Sequence, residues 1–166
     1  MKKIFCIMLI LCLFFSACGK KADKNAVFFY YPRMEYTQNS TDSVITAEQR
    51  NEIAFNSYTN TLSVYLKGPT DITLENPFPE ELEFVDAYIT SQTIVIIVSN
   101  QLSKLVGTQL TLACISLAKT AMELTDTTSC QIRCQSATLD GKQSINIAME
   151  SILLVDEIPD ETTVEP

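Results

Sequence analysis

The sequence predicts an α+β domain: a mixed, mostly antiparallel sheet with two helices packed on one face. Three observations predict it. Apolar residues recur at helical spacing in only two places, around Leu62 and around Leu117. A run apolar at every position, "IVIIV" from Ile94, and the alternating "SCQIRC" from Ser129 read as strands. Strand-like stretches come in pairs separated by turn residues, so hairpins supply most of the pairing. At 166 residues the chain has room for one ordinary domain, placed at residues 26–157.

The elements follow in order. "AVFFYYP", from Ala26, reads as a strand ending at Pro32. Arg33 to Asp42 is polar and turn-rich, and "NST" at Asn39 to Thr41 is a chance match to a glycosylation sequon. "SVITAEQRNEIAF" alternates at Val44 and Thr46 and again at Ile53 and Phe55, an irregular or broken extended segment. "SYTNTLSVYLKGP" is a short helix with Tyr58, Leu62, Tyr65 and Leu66 on one face and Ser57 or Thr59 as its cap. Gly68 suits the left-handed position beyond its end, and Pro69 forbids continuation. "TDITLENPFPEE" is a loop set by Pro77 and Pro79.

"LEFVDAYITSQTIVIIVS" reads as a hairpin turning near Ser91-Gln92, its "IVIIV" arm central and covered on both faces. "TQLTLACISLAKTAMEL" is the clearest helix. Leu110, Ala113, Leu117, Ala121 and Leu124 form its stripe, widened by Ile115, Ala118 and Met122, and Ser116, Lys119, Thr120 and Glu123 are its wet face. A second hairpin runs from Cys130 to Met149, with Asp140-Gly141 as the tight-turn signal. Residues 158–166, "IPDETTVEP", read as an acidic disordered tail.

The N-terminus has a separate chemistry. Lys2-Lys3 precede twelve consecutive apolar residues, Ile4 to Phe15. The run is short of the ~20 residues a spanning helix needs and suits a signal-peptide core. Ser16-Ala17, then Cys18-Gly19, then the polar "KKADKN" follow. This arrangement resembles the bacterial lipobox, with Phe15 where Leu is usual. The resemblance implies a signal peptide at residues 1–17, lipid attachment at Cys18 and a polar tether at 18–25. It places the chain at the extracytoplasmic face of the cell membrane. Two acyl chains there would hold firmly where one holds marginally.

Of six cysteines, Cys6 and Cys12 lie in the apolar run and Cys18 at the lipobox, which leaves Cys114, Cys130 and Cys134. Residues four apart on a strand are ~13 Å apart, so Cys130 and Cys134 are too distant to bridge each other. They read as small core hydrophobes, with a Cys114 bridge to one of them left open. The sequence has no His, which removes Ser-His-Asp and Cys-His nucleophiles and His-liganded metals. No metal site or cofactor is expected. The net charge of −8 becomes −10 once residues 1–17 leave with Lys2 and Lys3. Such a surface repels nucleic acid phosphates. The acidic groupings Glu80-Glu81-Glu83 and Asp71 with Glu75 fall in the Pro-rich loop and read as solvated surface.

Taken as an ordered set, these pieces resemble the GerMN domain of the sporulation and spore germination family. The resemblance is carried by "VFFYYP", "TNTLSVYLKGPTD", "NPFPEEL", "TIVIIVSNQL", "LTLACISLAKTAMEL" and "SCQIRC", and it covers about residues 26–136. It implies a non-enzymatic fold similar to ring-building modules. The function it implies is interaction or assembly at the cell envelope, with partners among envelope proteins or further copies of the chain. Sporulation members carry two tandem copies; this chain carries one. A small-ligand-binding lipoprotein is the alternative reading.

Overall fold

The computed structural model describes residues 26–34, 44–51 and 57–152. The signal peptide, Cys18, the tether, the Asn39 sequon, the Ile53/Phe55 alternation and the acidic tail lie outside the described residues.

Strands β1 (Val27–Pro32) and β2 (Ile45–Arg50) form an antiparallel ribbon running from Val27 opposite Arg50 to Pro32 opposite Ile45. The stretch expected to be irregular is therefore a regular strand over these six residues. Alternation puts Val27, Phe29 and Tyr31 of β1 on one face with Thr46, Glu48 and Arg50 of β2. The three β1 residues on that face join the core. A carboxylate and a guanidinium thus share the core-facing side of the ribbon, and that hides the strand from an apolar-pattern reading.

Helix α1 (Tyr58–Tyr65) starts where Ser57 Oγ accepts the Asn60 N–H at 3.2 Å. It buries Leu62 and Tyr65, and Gly68 beyond it takes φ +99°, as the Gly-Pro pair predicts. Tyr65 packs at 4.9 Å from the Tyr31 ring, 5.1 Å from Phe29 and 5.2 Å from Phe78, the last edge-on. The Pro-rich loop that supplies Phe78 is stitched to the ribbon by Glu75 N–H to Pro32 O at 2.8 Å and Met34 N–H to Thr73 O at 3.0 Å.

Strands β3 (Phe84–Thr90) and β4 (Thr93–Val98) make the expected hairpin through Ser91-Gln92, with Ser91 at φ +54° and a bulge between Phe84 and Asp86. Helix α2 (Gly107–Thr125) crosses over to β5 (Ser129–Cys134), which lies parallel to β4. Strand β6 (Ile145–Ala148) returns antiparallel to β5. Asp140 and Gly141 both take positive φ at +50° and +74°, between the reciprocal Leu139–Lys142 hydrogen bonds of a two-residue turn. The second sheet is ordered β3-β4-β5-β6.

Among the described residues the fold is α+β with two α-helices, as expected, and its strands divide between two sheets. The division explains one departure. Ser116 and Thr120, expected on the wet face of α2, are fully buried. Tyr30 of β1 points its N–H and C=O away from β2. Its N–H donates to Thr120 Oγ1 at 3.0 Å, and its C=O accepts the Tyr65 O–H at 2.8 Å. Thr120 of α2 and Tyr65 of α1 thus close the free edge of β1 at Tyr30, while the apolar stripe of α2 joins the core with β4 and β5.

Strand β4 is central, as expected, but its two faces differ. Ile94, Ile96 and Val98 lie in the core cluster, with Cys130, Ile132 and Cys134 beside them on β5. Val95 is nearly as buried, at 3%, yet lies outside that cluster on the opposite face. Its neighbours there, Tyr88 and Gln131, screen it.

Candidate functional site

The residue singled out by sequence, Cys18, lies outside the described residues. The three downstream thiols, Cys114, Cys130 and Cys134, are free and buried. Burial pushes Cys114 up to about 12, with the nearby Cys134 adding to it. Cys130 is pushed up by burial and by Cys114, and Cys134 by burial. Thiols held in their protonated form are poor nucleophiles and poor metal ligands.

The acidic loop does not converge. Asp71 Oδ1 accepts from Thr73 N at 2.8 Å and Thr73 Oγ1 at 2.7 Å. Those two bonds hold its carboxyl below the usual range. Glu75, Glu80, Glu81 and Glu83 are exposed. Among the described residues no group of three His, Cys, Asp or Glu is placed to hold a metal, and no helix is long and apolar enough to cross a membrane.

The most organised polar cluster is one that sequence reasoning missed. Glu48 and Arg50, two apart on β2 and therefore on one face, pair at 2.8 Å with side chains 7% and 9% exposed. Glu48 Oε1 accepts three bonds, from Thr70 N (2.8 Å), Thr70 Oγ1 (2.6 Å) and Asp71 N (2.8 Å). Arg50 Nη2 donates to Gly68 O at 3.2 Å, and its guanidinium lies 5.7 Å from the Phe29 ring centroid. Burial alone would raise the Glu48 carboxyl. The hydrogen bonds from Thr70, Asp71 and Arg50 outweigh that, and the net shift is downward. The pair grips the "GPTD" loop after α1 from both ends. Its chemistry is structural: both Glu48 oxygens accept from this chain, and Arg50 Nε and Nη2 donate to it. The available signal was "EQR", opposite charges two apart on a strand.

Two surfaces among the described residues bear on function. A cleft of about 330 Å³ lies between α2 and the β5–β6 hairpin, apolar at Leu110, Cys114, Ile145 and Ile147 and rimmed by Asp140 and Lys142. The other is the outer face of the four-stranded sheet, where Asp86, Tyr88 and Asn146 are exposed.

The architecture first defines a class: a small α+β domain with two sheets among the described residues. No family model and no curated protein matches the sequence. Among solved structures, the chain is similar to the tandem GerMN domains of the sporulation protein GerM from Bacillus subtilis, with a TM-score of 0.54 and 13% identity. That alignment covers 80% of this chain and 49% of the other, so the chain spans about half the length of that structure. A protein classed as a lipoprotein from Clostridium perfringens aligns over 75% of this chain and 87% of its own, at 17% identity and a TM-score of 0.45. The domain has a GerMN-like fold.

Proposed function

We propose that the chain is a lipid-anchored protein of the extracytoplasmic membrane face. Its GerMN-like domain, residues 26–157, works by binding envelope proteins or further copies of itself, without a catalytic step. In this reading residues 1–17 are the signal peptide, Cys18 the anchor, 18–25 the tether and 158–166 an acidic tail. The observation that carries it is the GerMN-like fold behind a lipobox-like N-terminus. The depleted chemistry of the described surface supports it: buried protonated thiols, dispersed carboxylates and a charged pair consumed by its own loop. Its process is sporulation, germination or envelope assembly, since the GerMN domains it resembles belong to a sporulation protein. Nucleic acid is not a partner at this net charge.

Metabolic labelling with a radioactive or clickable fatty acid tests the anchor. The full-length chain takes up label and pellets with membranes, and Cys18→Ser loses both. Label retained by Cys18→Ser would sink the anchor assignment. Crosslinking in native membranes tests the interaction reading, which fails if neither a partner nor a second copy is recovered.

The cleft beside α2 favours one alternative, a small-ligand-binding lipoprotein. A melting shift with an amphiphile, sugar or peptide, lost on Leu110→Glu, would support it.

A further inference from the structure

The outer face of the four-stranded sheet carries a charge pattern that a single chain leaves unused. Strand register places Asp86, Ile97 and Arg133 on one rung, and Tyr88, Val95 and Gln131 on the next. Asp86 and Arg133 therefore stand one strand to either side of β4, each ~4.8 Å from it. Neither makes an ion pair among the described residues. Between them, β4 presents the half-buried Ile97. This is a rung with an apolar centre, a negative end and a positive end.

We propose that this face docks a second copy of the chain, face to face, about a two-fold axis running along β4. Rotation about that axis exchanges the two sides of the strand. Asp86 of each copy comes to lie over Arg133 of the other, so the charged contact forms twice. Tyr88 lies over Gln131, phenol against amide. Ile97 meets its own counterpart on the axis and forms the dry centre, while Val95 stays covered by Tyr88 and Gln131 of its own chain. The ~30° angle that twist imposes on packed sheets displaces groups one strand from the axis by only about 2.5 Å, within reach of an arginine. The same rung would oppose any occupant lacking a matched acid and base on either side of an apolar strip, and that selects a like copy.

Size sets where the pairing occurs. Four strands at ~4.8 Å spacing and six residues at ~3.4 Å give roughly 400 Å² per copy. Twice that is below the ~1,200 Å² of stable complexes. The pair is therefore weak in dilute solution and forms when chains are concentrated on one membrane surface. The inference deepens the interaction reading above and relies on the tether only for that concentration.

The test uses the full-length chain in its own membranes, with Ile97→Cys on the axis and a short bis-maleimide crosslinker. The expected product is a species of twice the chain's mass, absent from the chain without Ile97→Cys. Asp86→Arg in the same background lowers that product about tenfold, because two attractive contacts become repulsive. Asp86→Arg with Arg133→Asp restores it to at least half. All these side chains sit on the surface or at its margin, and retained circular dichroism confirms that each variant folds. Three results would overturn the proposal: no doubled mass from Ile97→Cys, no effect of Asp86→Arg, or no recovery in the charge swap. A crosslink to a protein of different mass would also overturn it, in favour of a foreign occupant. If the chain proves not to be membrane-bound, sedimentation of the purified full-length chain up to about 1 mM decides instead. Association that follows the same charge-swap order supports the face-to-face pair, and a monomer throughout refutes it.

Discussion

Replacing Glu48 by Gln tests how the ribbon holds the loop that follows α1. The substitution keeps shape and removes charge. Glu48 is 8% exposed and accepts four bonds, three at Oε1 and one from Arg50 Nε at 2.8 Å. Hydrogen bonds to an ionised acceptor are about twice as strong as neutral ones. Losing that excess on four bonds, and the ion pair to Arg50, is expected to cost about 3 kcal/mol. For a domain of this size that lowers Tm by roughly 10 °C. Urea unfolding followed by far-ultraviolet circular dichroism measures it, since there is no Trp to report. Arg50→Met should cost a similar amount, and the double variant less than the sum of the two by at least ~1.5 kcal/mol.

The pH dependence has a fixed sign. The folded Glu48 carboxyl sits below its usual value of 4.5, so its contribution is fully present above that value. It disappears as pH falls through the folded value. Wild type and Glu48→Gln should therefore differ at pH 7 and converge in acid. A difference under about 1 kcal/mol at pH 7, or a gap that widens as pH falls, refutes the assignment of this pair as a loop clamp.

Three further outcomes are expected. Thr120→Val orphans the buried Tyr30 N–H and should cost about 1–3 kcal/mol. Ser116→Ala, whose Oγ has no hydrogen-bond partner within range, should change stability by under about 1 kcal/mol, and chemical denaturation of the two variants separates them. Gly68→Ala meets both a φ of +99° and an Asn76 Nδ2 atom 2.9 Å from the new Cβ, so it should cost more than Gly141→Ala, where φ is +74° and the space is open. Thermal melts of both rank them, and equal costs would show that the Asn76 contact yields freely. Cys114 and Cys130, buried and shifted upward, should resist alkylation at pH 8 until urea unfolds the domain, as mass spectrometry reads. Modification of either thiol at the rate of a free peptide thiol counts against their place in the core.

Much of the fold was legible because local chemistry decides it. Ser57 starts α1, Gly68-Pro69 stops it, Asp140-Gly141 turns a hairpin, and the apolar rows of β4, β5 and α2 mark the core. Glu48 and Arg50 were not legible as a buried pair. Charged residues on a strand read as solvent-facing unless the partners that desolvate them are known, and those partners, Thr70 and Asp71, come from a loop 22 and 23 residues beyond Glu48. Thr120 was misread for the same reason: the polar face of a helix reads as wet until a strand edge is found to need its hydroxyl, and Ser116 one turn away is buried with it.

The sequence by itself determined the elements other than β2, their order, the apolar stripes and the lipobox-like position of Cys18, because each rests on residues close in the chain. Tertiary structure decided the division into two sheets, the burial of Glu48, Arg50 and Thr120, and which face of β4 stays open. Those depend on contacts between residues far apart in the chain, such as Tyr30 with Thr120 and Asp86 on one rung with Arg133, which no local pattern records.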